Sequence, residues 1–140
     1  MRGAEALRQF HTDCRKAGVS PVYLLTYPIL MDEYYRSFLQ EAARQTGTKV
    51  TIHAKRIDVA PAIQADVVTA RALARLAILL DHAQRFLKPE AACYFLKGAL
   101  LADELTEVLE SWHMKVSEFP SLSDASGVIV KLESIVRERQ

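Results

Sequence analysis

Short apolar runs rich in β-branched residues alternate with helical stretches along most of this chain, and the last two runs follow each other with no helix between them. That order restricts the fold more than any single motif. A strand–helix–strand connection returns the chain parallel, so repeated units build a parallel sheet with helices on its faces. A closing strand pair adds an antiparallel edge. The expected class is α/β, a mostly parallel sheet with an antiparallel C-terminal strand pair.

Residues 4–17 suit a helix, with Leu7, Phe10, Cys14 and Ala17 at helical spacing and Gly18 closing it. "PVYLLTYP" at 21–28 suits a short strand ended by Pro28. Residues 31–46 return to a helical pattern. Tyr35, Phe38, Leu39 and Ala42 form its apolar face, Arg36, Gln40, Glu41 and Arg44 its polar face, and Gly47 stops it. "KVTIH" at 49–53 alternates as a strand, and "AKRIDVAPAIQ" is a loop. A buried strand at 66–69 leads into a helix expected over 72–87, with Leu73, Leu76, Leu80 and Leu87 inward; "KPEA" ends it, because Pro89 cannot continue a helix. "ACYFLKG" at 92–98 is the next apolar run. A helix over 99–112 is expected to bury Leu101, Leu105, Val108, Leu109 and Trp112. "MKVSEF" and "GVIVKLESI" form the closing strands around the turn-rich "PSLSDASG".

With 140 residues, half of them hydrophobic, the chain can bury a real core. Its net charge of +1 gives no global pull toward nucleic acid, so any RNA contact needs a local basic patch. No apolar run approaches the roughly 20 residues that span a bilayer. The polar, amphipathic N-terminus is not a signal peptide, so a cytoplasmic protein without a membrane partner is expected. Cys14 and Cys93 read as buried free thiols. His11, His53, His82 and His113 lack metal-ligand spacing and read as surface or half-buried histidines, so no metal is expected. No Ser/His/Asp set, paired carboxylates or P-loop is visible, and no catalytic residue is assigned.

Ligands of open α/β sheets bind at the carboxyl ends of the strands. Three such ends carry chemistry here: Arg56-Ile57-Asp58, Thr69-Ala70-Arg71 and Lys97-Gly98. A parallel sheet would bring Asp58, Arg71 and Lys97 to one rim around one hollow. Each also has a plain reading. Asp58 can be an exposed loop acid, Arg71 a partner of Asp66 or Asp81, and Lys97 a solvated lysine beside a glycine that makes a tight turn.

"SFLQEAARQTGTKVTIHAKRIDVAPAIQADVVTARALARL", then "FLKPEAACYFLKG", then "WHMKVSEFPSLSDASGVIVKLESIVRER" together resemble the C-terminal two-thirds of the bacterial 16S rRNA guanine-N7 methyltransferases of the RsmG/GidB type. The resemblance covers about residues 36–139. It implies a class I, Rossmann-like methyltransferase fold, S-adenosyl-L-methionine as donor, and 16S rRNA of the small ribosomal subunit as partner. It also implies that Ile57 and Asp58 flank the cofactor's adenine, that Arg71 lies at the mouth shared by cofactor and substrate, and that Lys97 touches substrate. The family's glycine-rich cofactor loop has no counterpart among the five glycines. The acid expected near the second strand's end falls at Leu30, with Asp32 and Glu33 off register. Residues 1–30 therefore read as a divergent segment and 31–140 as a methyltransferase-like domain that has lost its first strand and loop, through truncation, a shifted start or a frame change. The alternative function is a non-catalytic remnant of the fold that at most binds RNA or a protein partner.

Overall fold

The computed structural model describes residues 3–24, 29–71 and 74–139. They form two compact units, divided after Pro61.

The first unit holds α1 (Gly3–Ala17), β1 (Val22–Leu24), α2 (Ile29–Thr46) and β2 (Thr51–His53). β1 and β2 pair in parallel, Tyr23 opposite Ile52. Both helices end on a glycine in the left-handed region, Gly18 at φ 72° and Gly47 at φ 65°, where a side chain would be strained. α1 and β1, which belong to the segment expected to diverge, lie in this unit, where α1 packs on α2 and β1 pairs with β2. Tyr27 and Pro28, which close the first strand in the sequence reading, lie outside the described residues, and the side chains of Leu30, Asp32 and Glu33 are likewise not described.

The buried faces of the two helices differ from expectation. Phe10, Tyr35 and Phe38 are largely exposed, while His11, Cys14, Leu39, Ala42 and Ala43 are buried. The buried set combines the small Cys14, Ala42 and Ala43 with His11 and Leu39. His11 is the clearest correction to the reading of surface or half-buried histidines, being fully buried with Nε2 2.8 Å from the Tyr23 hydroxyl. Thr48 Oγ1 donates to the His11 carbonyl at 2.7 Å. Burial pushes the His11 pKa down, against an upward pull from the Ala42 backbone.

The consequence for stability has a definite sign. A histidine whose pKa is lowered on folding binds fewer protons than the unfolded chain as the pH passes its ordinary value of 6.5. Stability is therefore complete above that value and falls as the pH drops through and below it, by up to about 1.4 kcal/mol per pH unit. Acidification from pH 7 to pH 5 is expected to weaken the first unit, and His11→Gln should flatten the dependence. Urea unfolding followed by far-ultraviolet circular dichroism at the two pH values checks this; equal slopes in both proteins would refute it.

The second unit contains β3 (Ala65–Arg71), α3 (Leu76–Ala83), β4 (Leu87–Lys97), α4 (Leu101–Val108), β5 (Trp112–Pro120) and β6 (Val128–Arg137). Its four strands lie in the order β3-β4-β6-β5. β3 and β4 are parallel; β4–β6 and β6–β5 are antiparallel. Each unit thus has its own sheet, a parallel β1–β2 pair in the first and, in the second, a parallel β3–β4 pair that continues into the expected antiparallel C-terminal strands.

Helix lengths need correcting in this unit. α3 covers Leu76–Ala83, followed by a 3₁₀ turn at Gln84–Phe86, rather than 72–87, and Leu73 lies outside the described residues. "KPEA" belongs to β4, where Ala65 pairs with Leu87 but Val67 pairs with Ala92. The surplus residues form a bulge that tolerates Pro89, which lacks an N–H, and places Glu90 at φ 69°. α4 ends at Val108, so Leu109 is 48% exposed and Trp112 opens β5. The core lies between the helices and one sheet face. Leu76, Leu80, Cys93, Phe95, Val108, Trp112, Val130 and Leu132 are buried there. Both cysteines are free and buried, and burial pushes the Cys93 thiol up to about 12, which leaves it inert at neutral pH.

Candidate functional site

The carboxyl ends of β3 and β4 form one rim. Arg71 is registered opposite Leu96, so Arg71 and Lys97 stand at the same end of the sheet, one step apart. Side chains alternate across a strand. Val68 and Ala70 pair with Cys93 and Phe95 on the core side. Lys97 shares that face with Phe95, and Arg71 points to the opposite one. The rim is common to both residues, but a single hollow around them is not.

Lys97 borders a shallow cavity of about 390 Å³ together with Ala74, Arg75, Gly98, Leu100 and Glu104. It is not solvated, as only 11% of its side chain is exposed. Its ammonium donates to the Ala74 carbonyl at 3.0 Å and lies 2.9 Å from Glu104 Oε1. The same carboxylate oxygen accepts the Leu76 N–H at 2.9 Å. α3 has no cap from the side chain of its own N-cap residue, Arg75. Glu104 supplies that cap from 28 residues away in the chain. Burial alone would push the Glu104 carboxyl up; the Lys97 ammonium and the Leu76 N–H outweigh it and hold the group below the usual carboxylate range. One helical turn on, Glu107 accepts from Arg75 at 2.8 Å across a solvent-exposed pair.

Glu104 was not among the residues singled out from the sequence, although a signal exists. It lies three residues after Leu101 and four before Val108, on the stripe that the helix turns inward. A carboxylate on a core stripe needs a buried partner, and Lys97 is that partner. Gly98 accepts the Leu101 N–H at its carbonyl, and its φ is not in the left-handed region.

Arg71 is exposed at the end of β3. The two acids proposed as its partners are taken: Asp66 pairs with Lys88 and Asp81 with Arg137. Ile57 and Asp58 lie in a 3₁₀ turn at Ile57–Val59 of the first unit. Arg56 Nε and Nη2 donate to the two Asp58 carboxylate oxygens at 3.1 and 2.8 Å, a two-point pair open to solvent. Among the described residues no group of three or more His, Cys, Asp or Glu side chains is placed to hold a metal ion. No described helix is long and apolar enough to cross a membrane.

Comparison with known proteins agrees with this architecture. A Geobacter sulfurreducens methyltransferase superposes with a TM-score of 0.53 at 11% identity, over 95% of this chain and 80% of its own. A Pyrococcus furiosus methyltransferase gives a TM-score of 0.57 at 12% identity, over 82% of this chain and 61% of its own. These likenesses fix the fold as that of the methyltransferases. In sequence, the chain is 48% identical over 118 residues to the ribosomal RNA small subunit methyltransferase G of Rhodospirillum centenum, which covers 84% of this chain and 53% of that protein. The corresponding protein of Rhodospirillum rubrum is 42% identical over 120 residues, 86% of this chain and 58% of its own. The chain thus spans somewhat over half the length of these curated relatives. Residues 29–130 match the family of rRNA small subunit methyltransferase G, also called GidB, and the chain belongs to that family.

Proposed function

We propose that this chain serves S-adenosyl-L-methionine-dependent methylation of guanine N7 in 16S rRNA, with the small ribosomal subunit in the cytoplasm as its partner. The observation that carries the reading is the family match over residues 29–130, a span that includes every rim residue discussed above. The cofactor supplies a methyl group on a positively charged sulfur. Guanine N7 offers a lone pair and no proton, so the protein's task is to hold and align the partners rather than to remove a proton. This agrees with a rim whose described charged residues are Arg71, exposed, and Lys97, held by Glu104.

Ile57 and Asp58 are the residues proposed to hold the adenine. The Asp58 carboxylate is exposed, and Arg56 leaves lone pairs on it, so it fits an amino-group donor. Ile57 offers a half-buried apolar side chain beside it. Arg71 is proposed at the shared mouth and Lys97 on the substrate side. The fit is confined to the adenine end. None of the chain's five glycines belongs to a glycine-rich turn of the kind that lets backbone approach the rest of such a cofactor. The division of the strands into two sheets favours a second reading, in which the chain binds RNA without transferring a methyl group.

Calorimetric titration with S-adenosylmethionine and its demethylated product tests the first reading. Saturable heat and a raised melting temperature are expected, weakened by Asp58→Ala. Absence of both heat and thermal shift would leave only the second. Methyl transfer from radiolabelled donor to 16S rRNA would exclude the second.

A further inference from the structure

Lys97 and the start of α3 converge on one carboxylate, and that convergence has a use beyond stability. We propose that Glu104 is a positioning residue for this rim. It fixes the Lys97 ammonium at the carboxyl end of β4 and ties the chain that follows β3 to the same point. An ammonium has three N–H donors. Two are engaged, by the Ala74 carbonyl and by Glu104. Among the described residues the third has no partner, and it is available to an acceptor oxygen in the cavity that Lys97 borders.

The geometry makes Glu104 the organiser rather than a bystander. Leu76 and Ala74 belong to the segment after β3, Lys97 to the end of β4, and Glu104 to α4, so one carboxylate joins three separate stretches of chain. A free lysine would sample many rotamers and lose that entropy on binding. The Glu104 pair removes that freedom before any ligand arrives, which is preorganisation. The identity of the cavity's ligand, an oxygen of rRNA, rests on the function proposed above. The placement of Lys97 does not.

Competitive lysine acetylation, read residue by residue by mass spectrometry under native conditions, separates the two. Glu104→Gln is the deciding variant, because its amide oxygen can still accept the Leu76 N–H while the charge facing Lys97 is gone. The expected result is an acetylation rate at Lys97 about tenfold above the unsubstituted protein, the size of one charge-assisted hydrogen bond, with Lys88 and Lys131 unchanged. Amide hydrogen exchange at Leu76 should remain slow in Glu104→Gln and become fast in Glu104→Ala. A Lys97 rate within twofold of the unsubstituted protein, or one that rises no more than those of Lys88 and Lys131, overturns the positioning role. Adding 16S rRNA to the unsubstituted protein should slow acetylation at Lys97 further. If it does not, the rRNA ligand falls while the positioning role is still judged by the variants.

Discussion

Replacing Lys97 with methionine is expected to weaken the second unit by about 3–5 kcal/mol, the loss typical of breaking a buried ion pair from one side. Methionine keeps most of the side-chain volume and removes the charge. Glu104, 4% exposed, then keeps the Leu76 N–H as its described hydrogen-bond donor and only the more distant charge of Arg75. The double variant Lys97→Met/Glu104→Leu should recover most of that stability, less about 1 kcal/mol for the lost cap on α3. The chain's single tryptophan, Trp112, lies in the second unit, so its fluorescence in urea reports that unit alone.

The pH dependence of this variant should also change sign. In the unsubstituted protein the Glu104 carboxyl is held below its ordinary value of 4.5, so its contribution is complete above that value and is lost as pH falls through the lowered one. Without Lys97, burial, the largest single influence on the carboxyl, pushes it up against only the Leu76 N–H and the Arg75 charge. The folded state then binds a proton more readily than the unfolded chain, and stability from this group increases on acidification. A Lys97→Met variant gaining stability relative to the unsubstituted protein between pH 7 and pH 5 is the expected signature. A loss under about 1 kcal/mol with no relative pH effect would mean that the pair behaves like a surface bridge.

Phe95→Ala is expected to cost about 3–5 kcal/mol. Phe95 is 1% exposed and sits in the middle of the four-stranded sheet, with Ala70 on β3 and Val130 on β6 as its register partners. Truncation removes the ring's buried apolar area and leaves a void that close-packed neighbours cannot fill. Phe119→Ala provides the contrast. That ring, on β5, is 48% exposed, and its loss should cost less than about 1 kcal/mol. A urea midpoint that shifts equally in both variants would show that the core has been misplaced. Such a result would also unsettle the rim, since Phe95 and Lys97 lie on one face of β4.

The sequence by itself determined the α/β class, the order of strands and helices, the antiparallel closure and the family. Those features depend on local periodicity, β-branched composition and turn residues, which act over a few neighbours. Gly18 and Gly47 were legible as helix stops because their left-handed backbone is a local demand. The tertiary structure decided what distance in the chain hides. Helix ends depended on packing, so Leu109 stayed outside and Trp112 became a strand residue. "KPEA" entered β4 because strand pairing accommodates a bulge that local propensity does not foresee. His11 was drawn into the first unit's core by its Tyr23 and Thr48 partners. Arg71 and Lys97 proved to share a rim but not a face, a consequence of a one-residue step in a strand whose side chains alternate. Glu104 acquired its role only when folding brought Lys97 and Leu76 to it, for a carboxylate's partner is set by three-dimensional proximity.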